Sequence, residues 1–192
     1  SLLNSNIIVA KQSTNHTMDC IKRTISQNKS RKKFFNDNFR YSFYENDFFY
    51  YEDELGRLKL PFPNVPGQFQ LDNISAAIAT LKSLNLDIKV EHIKKGITKI
   101  SNLARLQEIK SGKLKALVKN NKLIVDGTHN EDGARVLNEY LKSLNCKKHV
   151  IISMMANKEH EKYISYFKDV SSITTIDLKS QPNSISGKDL KK

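Results

Sequence analysis

Lys122-Leu123-Ile124-Val125-Asp126-Gly127-Thr128-His129-Asn130 is the stretch that decides the fold. A short apolar run ends in a carboxylate and a glycine, and a helical pattern begins at once. Ala134, Leu137, Leu141 and Leu144 then fall on one face, predicting a helix over Asn130 to Leu144. Further on, Val150 to Met154 reads as a strand, Glu159 to Phe167 as a helix, and Ile173 to Leu178 as a strand. Strand, helix, strand, helix, strand predicts an α/β fold with a mostly parallel, doubly wound sheet. Ligands of such sheets sit at the carboxyl ends of strands. Asp126 falls at that point, where a carboxylate can accept ribose hydroxyls. Gly127 permits a tight turn, and His129 and Asn130 open a helix whose first amides attract anions. The same string also reads as an ordinary helix start, with Asn130 or Thr128 as the cap and Asp126 merely ending the strand. Local chemistry leaves both readings open.

Working outward toward the amino terminus, Arg105 to Ile109 and Leu114 to Val118 read as two more strands. Composition changes near Ser101-Asn102, which places a domain boundary there and gives segments 1–101 and 102–192. In the first segment, Ile7 to Ala10 reads as a buried strand. Asn15 to Gln27 reads as a helix capped by Thr14 or Asn15. Phe39 to Tyr44, Phe48 to Tyr51 and Arg57 to Leu60 read as three short strands, with turns at Glu45-Asn46-Asp47 and Glu54-Leu55-Gly56. Their Phe and Tyr residues fit sheet packing better than base stacking. A proline-punctuated loop, Pro61 to Pro66, leads to a helix ending near Leu84, and Val90 to Ile100 reads as another. The tail from Ser180 to Lys192 is polar and reads as frayed.

Two further groups carry chemistry. Gln70 and Asn73 stand three apart at a helix start, where they would share one face of the first turn. An amide offers both a donor and an acceptor to a purine edge. Capping by Asp72 or Asn73 is the plainer reading. Arg105 stands just past the boundary, where a guanidinium can hold a phosphate bidentately.

Composition narrows the classes. No stretch approaches the roughly 20 apolar residues of a membrane span, and the opening Ser1-Leu2-Leu3-Asn4 is not a signal peptide. Cys20 and Cys146 have no CxxC partner, so buried free thiols in a reducing cytoplasm are expected. The net charge of +12 raises nucleic-acid binding as an alternative. Lys outnumbers Arg 26 to 6, however, and the lysines are scattered; nucleic-acid readers lean on arginine forks. The densest basic run is Ser30-Arg31-Lys32-Lys33.

Four blocks in series resemble the folylpolyglutamate synthase and dihydrofolate synthase family of the Mur ligase superfamily. They are PGQFQLDNISAAIATL (66–81), ARLQEI (104–109), LIVDGTHNEDGARVL (123–137) and VIISMMANKEH (150–160). The resemblance implies the end of a Mur-ligase-type ATP-binding domain over 1–101, followed by an incomplete Rossmann-like domain over 102–192. It implies a cytoplasmic enzyme that joins glutamate to folate, using ATP and magnesium to activate the carboxyl group as an acyl phosphate. By motif, Asn73 and Gln70 would face adenine, Arg105 the phosphates and Asp126 the ribose. His129 would lie near the reacting phosphate or the incoming glutamate.

Other features of the family pattern are missing. Gly112-Lys113 is followed by Leu114 and Gly187-Lys188 by Asp189, so no Gly-x-x-Gly-Lys-Ser/Thr loop exists here. The family's magnesium ligands would lie upstream of Ser1. Within the matched blocks, Phe69 stands where many members have His, Ala104 for Gly, Thr128 for Ala and Ser153 for Gly. A chain truncated at both ends, inactive alone and completed by a separately encoded amino-terminal half, is therefore expected. A decayed remnant without activity is the alternative.

Overall fold

The computed structural model describes residues 5–43, 47–84 and 86–191. Ser1 to Asn4, and Tyr44, Glu45 and Asn46 of the expected strand end and turn, lie outside them. The chain divides into two compact units, Ser1–Asn102 and Leu103–Lys192.

In the first unit, β1 (Asn6–Val9) pairs in parallel with β2 (Arg31–Phe34), and Ile7 stands opposite Lys32. The connecting helix α1 (Asn15–Ile25) is capped by Thr14, whose hydroxyl accepts the Thr17 N–H at 3.1 Å. Strand β2 was not expected. Its charged run is stitched in: Lys32 Nζ donates to the Asn28 carbonyl, and Lys33 Nζ pairs with Glu54 at 2.7 Å. Two of the three cations in the densest basic run are thus engaged inside the fold, which speaks against that run as a nucleic-acid grip.

Strands β3 (Phe39–Phe43), β4 (Phe48–Asp53) and β5 (Gly56–Pro61) form an antiparallel meander. Alternation in β4 sends Phe49 and Tyr51 inward, both fully buried. Phe48 and Tyr50 face the other way, where Lys59 Nζ lies 3.4 Å from the Phe48 ring centroid and Arg57 lies 3.7 Å from that of Tyr50. The stripe is sheet packing, as its spacing predicts. Helix α2 (Phe69–Ser83) lays Leu71, Ile74 and Ile78 against Phe39, Phe49 and Leu60, and α3 (Val90–Thr98) adds Ile93 and Ile97. Gly67, just before α2, has φ +103°, and a Cβ there would sit 2.3 Å from the Phe69 ring. Only glycine fits this entry turn.

In the second unit, β6 (Gln107–Glu108) pairs antiparallel with β7 (Ile124–Val125). Between them lies α4 (Lys113–Leu117), where a strand over Leu114 to Val118 was expected. Leu114 and Leu117 are exposed, so the apolar alternation reflects no buried face. Ala, Leu and Lys are strong helix formers, and Lys115 Nζ ties off the helix by donating to the Asn121 carbonyl at 2.8 Å. The helix α5 (Glu131–Ser143) follows, then β8 (His149–Ile152), α6 (His160–Ser165) and β9 (Ser172–Thr175). Strands β8 and β9 pair in parallel with Val150 opposite Ile173. The core gathers Ala134, Ile152, Met154, Tyr163 and Phe167.

The tail corrects the expectation of fraying. Helix α7 (Gly187–Leu190) is capped by Ser186, and Leu190 is buried in the same core, with Ile185 packed against it. Two apolar anchors five residues apart outweigh a polar neighbourhood. The α/β class holds, with parallel pairing at β1–β2 and β8–β9, while the described strands form small separate sheets rather than one broad one. Neither thiol is buried: Cys20 is half-buried and Cys146 exposed. Among the described residues, no helix is long and apolar enough to cross a membrane.

Candidate functional site

The second unit brings Arg105, Asp126 and His129 together around the end of β7. Asp126 ends the strand with both carboxylate oxygens engaged. Oδ1 accepts the Thr128 N–H at 2.8 Å, and Oδ2 accepts the Leu106 N–H at 2.7 Å, twenty residues back along the chain. The Gly127 N–H donates to the Ala104 carbonyl at 2.8 Å, and the Ala104 N–H donates to Gln107 Oε1 at 2.9 Å. The turn Ala104-Arg105-Leu106 is therefore fastened on both sides of the arginine.

That turn carries strain. Ala104 has φ +52° and Leu106 φ +48°, so left-handed residues flank Arg105 on either side. Leu106 is anchored by burial, while Arg105 stays exposed, and among the described residues it is in no ion pair. A Cβ on Gly127 would lie 3.4 Å from the Ala104 carbonyl oxygen and 4.0 Å from Arg105 Nη1, so the guanidinium runs close over the Gly127 backbone. Left-handed backbone costs an L-residue roughly 1–2 kcal/mol. Ala104→Gly should therefore stabilise the second unit by about 1 kcal/mol after the added unfolded-chain freedom is subtracted. Urea unfolding checks this; an unchanged or lower midpoint contradicts it.

Asn130 caps α5, its Oδ1 accepting the Gly133 N–H at 2.9 Å. The capping reading of this residue is thus realised, and it coexists with the strand-end placement of Asp126. The sequence reading missed two supports. A Cβ on Gly133 would fall 2.8 Å from the Thr128 Cβ, so the first turn of α5 closes on the loop only with glycine there. The Thr128 hydroxyl meets the Tyr163 hydroxyl at 2.8 Å. Burial, helped by the Asp126 charge, pushes the Tyr163 phenol up, which keeps it protonated and hydrogen-bonding at neutral pH. A glycine three residues beyond a candidate cap was the only signal for the first; the second joins residues 35 apart and left none.

His129 is exposed, and its Nδ1 lies 3.0 Å from the Gly127 carbonyl. A carbonyl only accepts, so Nδ1 carries a proton and Nε2 is the free nitrogen of the neutral ring. The arrangement presents one guanidinium, one imidazole and the first amides of a 13-residue helix on neighbouring backbone. Positive charge and N–H donors of this kind suit a phosphorylated ligand. The carboxylate of Asp126 retains lone pairs for a hydroxyl, since two oxygens offer about four acceptor positions.

Gln70 and Asn73 belong to the first unit. Positions three apart on a helix differ by about 60° around its axis, and here the edge of the buried face falls between them. Gln70 is 4% exposed, on the side of Ile74 and Ile78, and Asn73 is exposed on the side of Ala77 and Thr80. They do not share a surface. Neither Asp72 nor Asn73 caps α2, which begins at Phe69 without a side-chain cap. Of the two amides, Asn73 is the one a ligand can reach.

The residues present do not fit the magnesium that the resemblance implies. Among the described residues, no three His, Cys, Asp or Glu side chains converge as a metal-ligand set.

By sequence comparison the chain matches no protein-family profile and no curated protein. Its structure matches solved structures, folylpolyglutamate synthases among them. E. coli FolC in complex with DHPP and ADP aligns at TM-score 0.79 and 22% identity, over 96% of this chain and 42% of that one. The Mycobacterium tuberculosis folylpolyglutamate synthase complexed with ADP and AMPPCP aligns at TM-score 0.79 and 14% identity, over 97% and 42%. A bifunctional folylpolyglutamate synthase/dihydrofolate synthase with Mn, AMPPNP and L-glutamate bound aligns at 0.75 and 20%, over 96% and 42%. The chain spans about 42% of the length of these structures. The resemblance carried by the four sequence blocks therefore holds at the level of fold: this chain is folded like the carboxyl-terminal part of the folylpolyglutamate synthases and dihydrofolate synthases.

Proposed function

We propose that this chain supplies nucleotide-contacting groups of an ATP-dependent ligase that joins glutamate to a folate. The observation that carries the proposal is the fastened Ala104-Arg105-Leu106 turn beside the amino terminus of α5. A strained turn held by one backbone hydrogen bond, one side-chain amide and one carboxylate presents an exposed guanidinium. Strain of this kind persists where a fixed geometry is needed. The fold it shares with ligases solved with ADP and AMPPNP supplies the nucleotide.

In this reading Arg105 binds nucleotide phosphates and places positive charge where charge develops in phosphoryl transfer. Asp126 accepts a ribose hydroxyl with its remaining lone pairs. His129 directs Nε2 toward the reacting phosphate or the glutamate amine, where it can accept a proton. Asn73, on the first unit, keeps an exposed amide of the kind that suits a purine edge. Gln70 is buried and is not offered to the base. ATP supplies the phosphoryl group that activates the folate carboxyl.

Positioning supplies most of the catalysis in phosphoryl transfer. The phosphate loop is absent from these 192 residues, so turnover requires a second segment, in the same protein or another chain, that brings it. The test is phosphate release with ATP, magnesium, a reduced folate and glutamate. The chain alone should release none. Combined with a segment carrying the Gly-Lys-Ser loop, it should release phosphate in a glutamate-dependent way that Arg105→Ala abolishes. Release by the chain alone, or none from the combination, overturns the proposal.

The remnant reading predicts a loosened site. The half-buried Tyr163–Thr128 contact and the fastened arginine turn favour the ligase reading instead.

A further inference from the structure

We propose that Asp126 acts chiefly as a positioning residue for Arg105: its carboxylate holds the arginine turn in place, and through it sets the affinity for the phosphates. The inference rests on the nucleotide reading above and deepens it.

The geometry is specific to this task. A carboxylate that served a ribose alone would need no backbone partner so distant in sequence. Here Oδ2 reaches the Leu106 N–H at 2.7 Å, and Oδ1 the Thr128 N–H at 2.8 Å. One side chain thus ties the turn before β6 to the loop before α5. The adjacent Gly127 N–H reaches the Ala104 carbonyl at 2.8 Å, closing a ring of contacts around Arg105. Two left-handed L-residues, at φ +52° and +48°, do not hold that shape unaided. Charge-assisted hydrogen bonds to backbone N–H groups are the strong kind and can hold it. Leu106, 3% exposed, anchors the far side, so the turn is pinned by burial at one residue and by the carboxylate at its N–H. The Ala104 side is only half-buried and depends on the Gly127 contact and on the bond from its own N–H to Gln107 Oε1.

The consequence separates two roles for one carboxylate. A ribose contact acts only on ligands that carry a ribose. A positioning role acts on any ligand that Arg105 holds, including one without sugar or base. It also acts against simple electrostatics, because removing a negative charge should otherwise favour an anion.

The experiment uses inorganic tripolyphosphate as the probe, titrated into the full chain, with Asp126→Asn, Arg105→Ala and the double variant. Asparagine keeps one acceptor and the same shape, so the fold is retained while one N–H loses its partner. Amide hydrogen exchange is read on the same samples. Asp126→Asn should weaken tripolyphosphate binding about tenfold, as expected for one lost charge-assisted hydrogen bond. It should have no further effect once Arg105 is alanine. Exchange at the Leu106 or Thr128 amide should quicken about tenfold in the same variant. Equal or tighter tripolyphosphate binding by Asp126→Asn overturns the positioning role. Unchanged exchange at both amides overturns the clasp, whatever the binding result. If the unaltered chain binds neither tripolyphosphate nor ATP while exchange still quickens, the clasp stands as structure, and both the nucleotide reading and the role in phosphate affinity fall.

Discussion

Lys82→Met should destabilise the first unit by about 3–5 kcal/mol, the range seen when one partner of a buried ion pair is removed. Asp53, at the end of β4, has a side chain only 2% exposed, and Lys82 Nζ reaches from α2 to its Oδ2 at 2.7 Å. The carboxylate has other partners. Oδ1 accepts the Leu55 N–H at 2.9 Å, which shapes the β4–β5 turn, and Oδ2 accepts the Tyr51 hydroxyl at 3.2 Å. Burial, and then the Asp53 charge, push the Tyr51 phenol well above its ordinary value, so it remains a donor. Both partners are neutral, however, and Lys82 is the counter-charge. Methionine fills the same volume and leaves a buried carboxylate unpaired. Total stabilities of domains are about 5–15 kcal/mol, so the loss is a large share. The check is urea unfolding, with Asp53→Asn/Lys82→Met beside the single variant. The double variant should recover part of the loss, because no buried charge is left unpaired. A loss below about 1 kcal/mol, typical of exposed pairs, would show that the pair is not buried in solution.

Period and punctuation made much of this fold legible in the sequence. The β4 alternation, the apolar face of α2 and the strand–helix–strand run from Ile124 to Thr175 follow from side chains whose burial is their main energy term. Errors arose where that term was small or came from afar. Strand β2 is a charged run that pairs with β1 because its lysines find oxygens on other segments. Helix α4 has no buried face, so its Leu114–Val118 alternation meant nothing. The ordered tail depends on Ile185 and Leu190, two apolar residues among polar neighbours.

The site was legible in part. Asp126 at a strand end and Asn130 as a cap could both be read from nine residues, and the structure contains both. The bond from Asp126 to the Leu106 N–H could not be read, since it joins residues twenty apart through a backbone N–H that any residue would offer. The glycine that the sequence resemblance implies at Ala104 marked the place but not the reason. Ala104 has a left-handed φ, a conformation that glycine adopts without strain. The pairing of Gln70 with Asn73 failed because three-residue spacing alone does not say where the buried edge of a helix falls.

Arg105 is proposed to be held for a nucleotide phosphate. Arg105→Ala should reduce ATP affinity about 10- to 100-fold, since hydrogen bonds to charged groups contribute about 1.5–3 kcal/mol. The turn should survive the change: the Leu106 and Gly127 contacts are made by backbone, and the arginine side chain is exposed. Thermal unfolding of the variant should accordingly match that of the unaltered chain. The direct measurement is a calorimetric titration of ATP into both proteins at one salt concentration. Binding at millimolar affinity or tighter, weakened at least tenfold by Arg105→Ala with unfolding unchanged, is the predicted result. Equal affinity in the two folded proteins, or no binding by either, would contradict it.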